Sequence, residues 1–159
     1  MSGEPRTSIR LIWDNLRLRQ PDKGTDGRSS YNLSFHSPLY PGFRYDAYLM
    51  IAPDTKEKSR SVDIRQHYWG VFAGASLEKV HLFRYSIGLA QGVWQKITNS
   101  HILGSRSSVR TLSMASLLRL GLDYAPSEWA EVGMSLSLFY RAPRNAVDWS
   151  WGLGLIYNL

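Results

Sequence analysis

Ser34 and His36 are the residues in this chain whose types and spacing come nearest to chemistry. They stand two apart in an extended-looking segment, so they share one face. Asp46 lies on the next such segment and can approach them. A serine, a histidine and an acid in reach of one another would read as a hydrolytic set: an activated hydroxyl nucleophile, a general base, and a carboxylate to orient the base. The competing reading is plain polarity: a strand with a polar face contains Ser and His without catalysing anything. His67, His81 and His101 are scattered over separate segments with no ligand spacing, so no metal site is expected. The chain has no cysteine, which removes thiol chemistry and Cys-ligated metals, and no motif implies a cofactor.

A second set of groups is larger. Arg10, Arg44, Arg84, Arg119 and Arg141 recur inside apolar-alternating segments, against Asp14, Asp46, Asp123, Glu131 and Asp148. Five cations against five acids, all on the non-apolar face, predict a buried network of ion pairs, because charges removed from water must be paired. The planar guanidinium fork suits such pairing. All five lysines (Lys23, Lys56, Lys58, Lys79 and Lys96) fall instead in segments that read as loops or turns.

The elements that position these groups are strands. In residues 147–159 the odd positions are Val147, Trp149, Trp151, Leu153, Leu155, Tyr157 and Leu159, and the even ones are mostly small or polar. Residues 112–124 and 130–141 repeat the pattern with apolar even positions. Residues 30–36, 43–51 and 83–89 alternate likewise. Ile9, Leu11 and Trp13 open the first strand. The parity then flips at Leu16 and Leu18, which predicts a bulge near Asn15. Residues 62–77 form an eighth, glycine-broken strand whose faces are ambiguous. Long polar connections (20–29, 52–61, 95–108 and 142–146) alternate with short turns (36–42, 77–81 and 125–128). Tyr40, Phe43, Tyr124, Trp129 and Tyr157 fall at the short-turn end, and Trp13, Trp94, Tyr140 and Trp149 toward the other. No apolar run is long enough for a membrane helix. Residues 1–6 lack the apolar stretch of a signal peptide, so any export signal is expected to have been removed.

The expected fold is therefore all-β: an eight-stranded antiparallel up-and-down transmembrane β-barrel. Residues 1–6 form an N-terminal tail and 7–159 a single barrel domain. A soluble lipocalin-like ligand-binding barrel also alternates, but it points its apolar face inward and must hydrate the outer one. Here the non-apolar face is Gly, Ser and Ala with few, balanced charges, which suits a crowded interior. Lysine facing lipid at the midplane would cost about 2–4 kcal/mol, and no strand carries one there. Eight strands leave a lumen just wide enough for side chains, so a salt-bridged plug is expected and an open pore is not.

On these features the chain resembles the small eight-stranded outer-membrane barrels of Gram-negative bacteria over about residues 7–159. Its final strand, 147–159, looks like the signal read by the barrel-assembly machinery, with Tyr157 in the aromatic position; Leu159 departs from the usual terminal Phe. The resemblance implies an outer-membrane location and contact with outer-membrane lipids. Some outer-membrane lipases and lipid A deacylases resemble a barrel with Ser34, His36 and Asp46, but their serine and histidine lie near the lipid-facing rim in motifs this chain lacks. If the long-loop end is extracellular, Arg17, Arg19, Lys96, Arg106, Arg110 and Arg144 approach the phosphates of lipopolysaccharide. The net charge of +6 does not imply nucleic acid, because the basic residues are interleaved with lipid-type strands and offer no base-stacking platform. The expected role is structural or interactive: external loops and outer wall meeting lipopolysaccharide or a protein partner in a larger envelope complex. A lipid hydrolase is the alternative.

Overall fold

A computed structural model describes residues 6–20, 24–59, 62–81, 83–102, 104–124, 130–142 and 146–159. Eight antiparallel strands make up the described chain: β1 Ser8–Gln20, β2 Gly24–Tyr40, β3 Phe43–Ser59, β4 Val62–Val80, β5 Arg84–Ile102, β6 Ser105–Tyr124, β7 Ala130–Ala142 and β8 Ala146–Asn158. Each pairs with its sequence neighbour, and β8 closes on β1, giving a barrel in simple up-and-down order. The two outermost strands meet with Ser8 opposite Asn158, so β1 starts and β8 ends at the short-turn end. The amide of Leu159 donates to the carbonyl of Thr7 at 2.9 Å.

The period of two in the sequence becomes the two faces of this wall. Leu11, Leu89 and Leu155 are 57%, 68% and 65% exposed, while Asp14, Ser30, Asp46 and Ser150 are wholly buried. A water-soluble barrel has these faces reversed. An exterior of Leu, Ile, Val and aromatic residues in a continuous band faces lipid. The lumen is filled from all sides, and the final strand shows how. A side chain at Gly152 would fall 2.2 Å from Asp14 Oδ1, and one at Gly154 would fall 2.5 Å from Ile12 Cγ1. Those two glycines leave room for the residues of β1 that plug the interior.

The β1–β2 register runs unbroken from Ser8↔His36 to Gln20↔Gly24, so the bulge predicted near Asn15 is not there. Leu16 and Leu18 point inward instead, at 0% and 2% exposure. The parity argument failed because it took every inward residue to be polar or small. The ambiguous β4 resolves with Tyr68, Gly70, Phe72 and Ser76 inward and Val71, Ala73 and Leu77 outward. Trp94, expected in an interfacial girdle, is 3% exposed inside the lumen.

Strand length is uneven, and this shapes the outer end. β1, β7 and β8 have 13 residues, whereas β4, β5 and β6 have 19, 19 and 20. A tilted membrane strand needs about 9–11 residues. The surplus of β4–β6, with the end of β3 paired along β4, therefore stands beyond the barrel rim as a sheet. Of the segments expected as loops, residues 52–59, 95–102 and 105–108 are largely hydrogen-bonded strand within it, with Gly104 at φ 86° in the β5–β6 turn.

Candidate functional site

Register brings the hydrolase-like set together. β2 directs Ser34 and His36 inward, and β3 places Asp46 directly opposite His36. His36 Nδ1 contacts Asp46 Oδ1, and His36 Nε2 lies 3.0 Å from Ser34 Oγ. The order acid–histidine–serine is thus present in space. However, Ser34 is 1% exposed, and the nearest cavity, bounded by Arg10, His36, Arg44, Tyr48 and Arg119, holds only about 10 Å³. That is room for about one water molecule. That space is too small for an acyl chain, and among the described residues the three side chains form a polar tie across β2 and β3.

The charged residues occupy the same lumen. Arg10 crosses from β1 to β6, donating to Asp123 through Nη2 at 2.5 Å and Nη1 at 3.3 Å. Arg44 pairs with Glu78 at 2.7 Å, and Arg84 pairs with Glu131 at 2.8 Å. Asn158 Nδ2 donates to Glu131 at 2.9 Å, which ties the last strand into this layer. Nearer the outer end Arg141 pairs with Asp148, with Arg141 Nη2 donating at 3.1 Å. Arg119 lies with its guanidinium 5.1 Å from the Tyr48 ring, and the buried Asp14 is among the charges acting on it. Asp46 answers His36 instead of an arginine.

Two participants were not read from the sequence. Glu78 sits in what read as a turn, yet it continues the inward parity of Ser76, which was the available signal. Arg28 points inward above the charged layer, donating to Gln66 and lying 4.7 Å from the Tyr68 ring. The interior is also not polar throughout. Leu16, Leu18, Tyr48, Met50, Tyr68, Phe72, Trp94, Leu117 and Phe139 pack as an apolar plug in its outer half. Phe72, Trp94 and Phe139 meet with ring centroids 5.9–6.3 Å apart. Ion pairs and this plug together fill the lumen among the described residues.

Among the described residues, the basic side chains of the outer end do not form one patch. Arg106 and Arg110 share the outer face of β6. Lys96 turns into the lumen mouth, its ammonium 5.6 Å from the Tyr68 ring. Arg17 lies on β1, across the barrel from β5, with its guanidinium against the backbone of Gly27. The side chains of Arg19 and Arg144 lie outside the described residues. What the projecting sheet gathers instead is a row of three strands in register: Asp63–His101–Arg106, with Arg65–Asn99–Ser108 beside it. These six residues border a hollow of about 550 Å³. Arg65 was missed because neighbours on three strands are set by register, which one sequence does not display. The upper part of β6 has one further property: its pairing with β7 begins only at Met114↔Ala142. Residues 105–113 are bonded to β5 alone and keep an open backbone edge among the described residues.

No protein-family profile matches the chain, and no curated protein matches it either. Solved structures do. Ail, the attachment invasion locus protein of Yersinia pestis, is 18% identical and covers 99% of this chain and 100% of its own, with a TM-score of 0.77. The chain has the fold of the small outer-membrane β-barrels. Neisserial surface protein A is 13% identical with a TM-score of 0.71, covering 96% of this chain and 97% of its own. The outer membrane protein OprG of Pseudomonas aeruginosa is 15% identical with a TM-score of 0.63, covering 98% and 97%. Ail also matches in a complex with the heparin analogue sucrose octasulfate, at a TM-score of 0.76. The eight-stranded architecture expected from alternation is thus a known one.

Proposed function

We propose that this barrel resides in the bacterial outer membrane as a binding protein, and that its projecting β4–β6 sheet holds the phosphorylated saccharide of lipopolysaccharide. One observation carries the reading: Arg65, His101 and Arg106 converge with Asn99 and Ser108 around a single hollow on the outer face of the sheet, with Asp63, 3.5 Å from Arg65, as the acid on its rim among the described residues. Guanidinium groups take phosphate through two parallel hydrogen bonds, and amide and hydroxyl groups suit sugar hydroxyls. Arg110, on the same face, extends the basic surface toward the membrane. A sheet standing just outside the bilayer and facing outward meets that saccharide layer at this height. The binding of sucrose octasulfate by Ail, a protein of the same fold, supports a polyanionic saccharide as the class of ligand.

The test is binding of lipopolysaccharide and of sucrose octasulfate to the barrel in phospholipid nanodiscs. Arg65→Glu together with Arg106→Glu lowers affinity at least tenfold, and binding of the unaltered protein weakens with added salt. Arg17→Glu, on the opposite wall, changes affinity less than twofold. Equal losses for both variants would refute the assignment to this sheet.

A second reading rests on the open edge at residues 105–113. Its unpaired amides and carbonyls can accept an extended segment of a partner protein, adding a strand beside β6. Arg106 and Arg110 on one face of that edge favour an acidic segment.

A further inference from the structure

The lipid-facing band is apolar except at a few positions. Outward residues of β5 run Tyr85, Ile87, Leu89, Gln91 and Val93, and those of β6 run Tyr124, Leu122, Leu120, Leu118, Ser116 and Met114. Gln91 and Ser116 are direct partners in the β5–β6 ladder, with Ala73 beyond Gln91 on β4 and Tyr140 beyond Ser116 on β7. Gln91 lies six residues above Tyr85. At about 3.3 Å per residue and a tilt of about 40°, that is roughly 15 Å into a band about 25 Å tall. A primary amide is therefore held near the middle of the hydrocarbon. Asn15 on β1 also interrupts the band, but it is half-buried, with its Oδ1 covered by its neighbours. Gln95, nearer the outer interface, is satisfied by Trp69 Nε1 at 2.7 Å. The Gln91 side chain stands exposed and engages none of the side-chain hydrogen bonds of the described residues.

The wall also sinks at this place. The small side chains of Ala73 and Ser116 leave a hollow of about 350 Å³ rimmed by Leu89, Leu118, Leu138 and Val147. Lipid tails cannot satisfy an amide, so a polar side chain in the membrane seeks a protein partner, and small residues let two walls approach closely. Glutamine carries both donors and an acceptor, which makes it complementary to itself across a twofold axis. We propose that this hollow on β4–β7 is the contact between two copies of this chain, with the Gln91 amides of both copies paired at its centre and Ser116 beside them.

The absence of native cysteine allows a clean test. Gln91→Cys in outer-membrane vesicles gives a disulfide-linked dimer on mild oxidation, and Ser116→Cys does so more weakly. Leu33→Cys, equally lipid-facing but on the opposite wall, stays monomeric. Energy transfer between differently labelled copies in phospholipid vesicles then measures association directly, and Gln91→Leu weakens it about three- to tenfold. Heat-modifiable gel migration verifies that each variant forms a barrel. Equal cross-linking at Gln91→Cys and Leu33→Cys overturns the proposal, as does energy transfer indifferent to Gln91→Leu. A monomer that retains one lipid in native mass spectrometry, and loses it in Gln91→Leu, overturns it in favour of a lipid occupant.

Discussion

Replacing Asp123 by asparagine isolates the tie that spans the lumen. Arg10 and Asp123 have side chains 4% and 0% exposed, and their two hydrogen bonds join β1 to β6. Asparagine keeps the volume and one acceptor but removes the charge, leaving the Arg10 guanidinium buried without its counterion. Breaking a buried pair from one side costs about 3–5 kcal/mol. The retained acceptor places Asp123→Asn at the lower end, about 3 kcal/mol, which is more than a hundredfold in the folding equilibrium. The paired replacement Arg10→Met with Asp123→Leu removes both charges and falls within about 1 kcal/mol of the unaltered protein. Urea unfolding in phospholipid vesicles, followed by the fluorescence of the six tryptophans, measures Asp123→Asn and, as the corners of a double-mutant cycle, the unaltered protein, Arg10→Met, Asp123→Leu and the paired variant. A cost below about 1 kcal/mol for Asp123→Asn would refute the reasoning. So would a double variant as unstable as the sum of the two single ones.

Ser34→Ala leaves the acyl pattern of outer-membrane lipids unchanged in mass spectrometry, and Ser34 resists fluorophosphonate labelling in the folded barrel. Labelling of the native protein that Ser34→Ala abolishes would contradict the sealed position of that serine. We propose that β8 is read by the barrel-assembly machinery. Tyr157→Ser then lowers the folded fraction recovered from membranes several-fold and Leu159→Phe raises it, as measured by heat-modifiable migration; recovery indifferent to both excludes this role for the strand end.

The outward face was legible because lipid imposes one rule on every strand. Leu, Val, Trp and Tyr at every second position of 112–124, 130–141 and 147–159 needed no knowledge of neighbours. The inward face obeys no single rule, since it is filled by whatever the opposite wall supplies. Leu16, Leu18 and Trp94 therefore misled the parity reading, and Glu78 was passed over because a turn was assumed where β4 continues. Of the hydrolase-like set, the shared face of Ser34 and His36 follows from their spacing alone. Its closure by Tyr48, Arg44 and Arg119 does not, because those residues arrive from β3 and β6.

The sequence by itself determined the strand count, the lipid-facing wall and the balance of arginines and acids, because alternation and charge are local properties of the chain. Only the tertiary structure decided which arginine meets which acid, which basic residues share a surface and where β6 runs free of β7. Each of those depends on the register between strands and on barrel closure. Asp123 and Arg10 stand 113 residues apart in the chain and are joined only because β8 closes on β1.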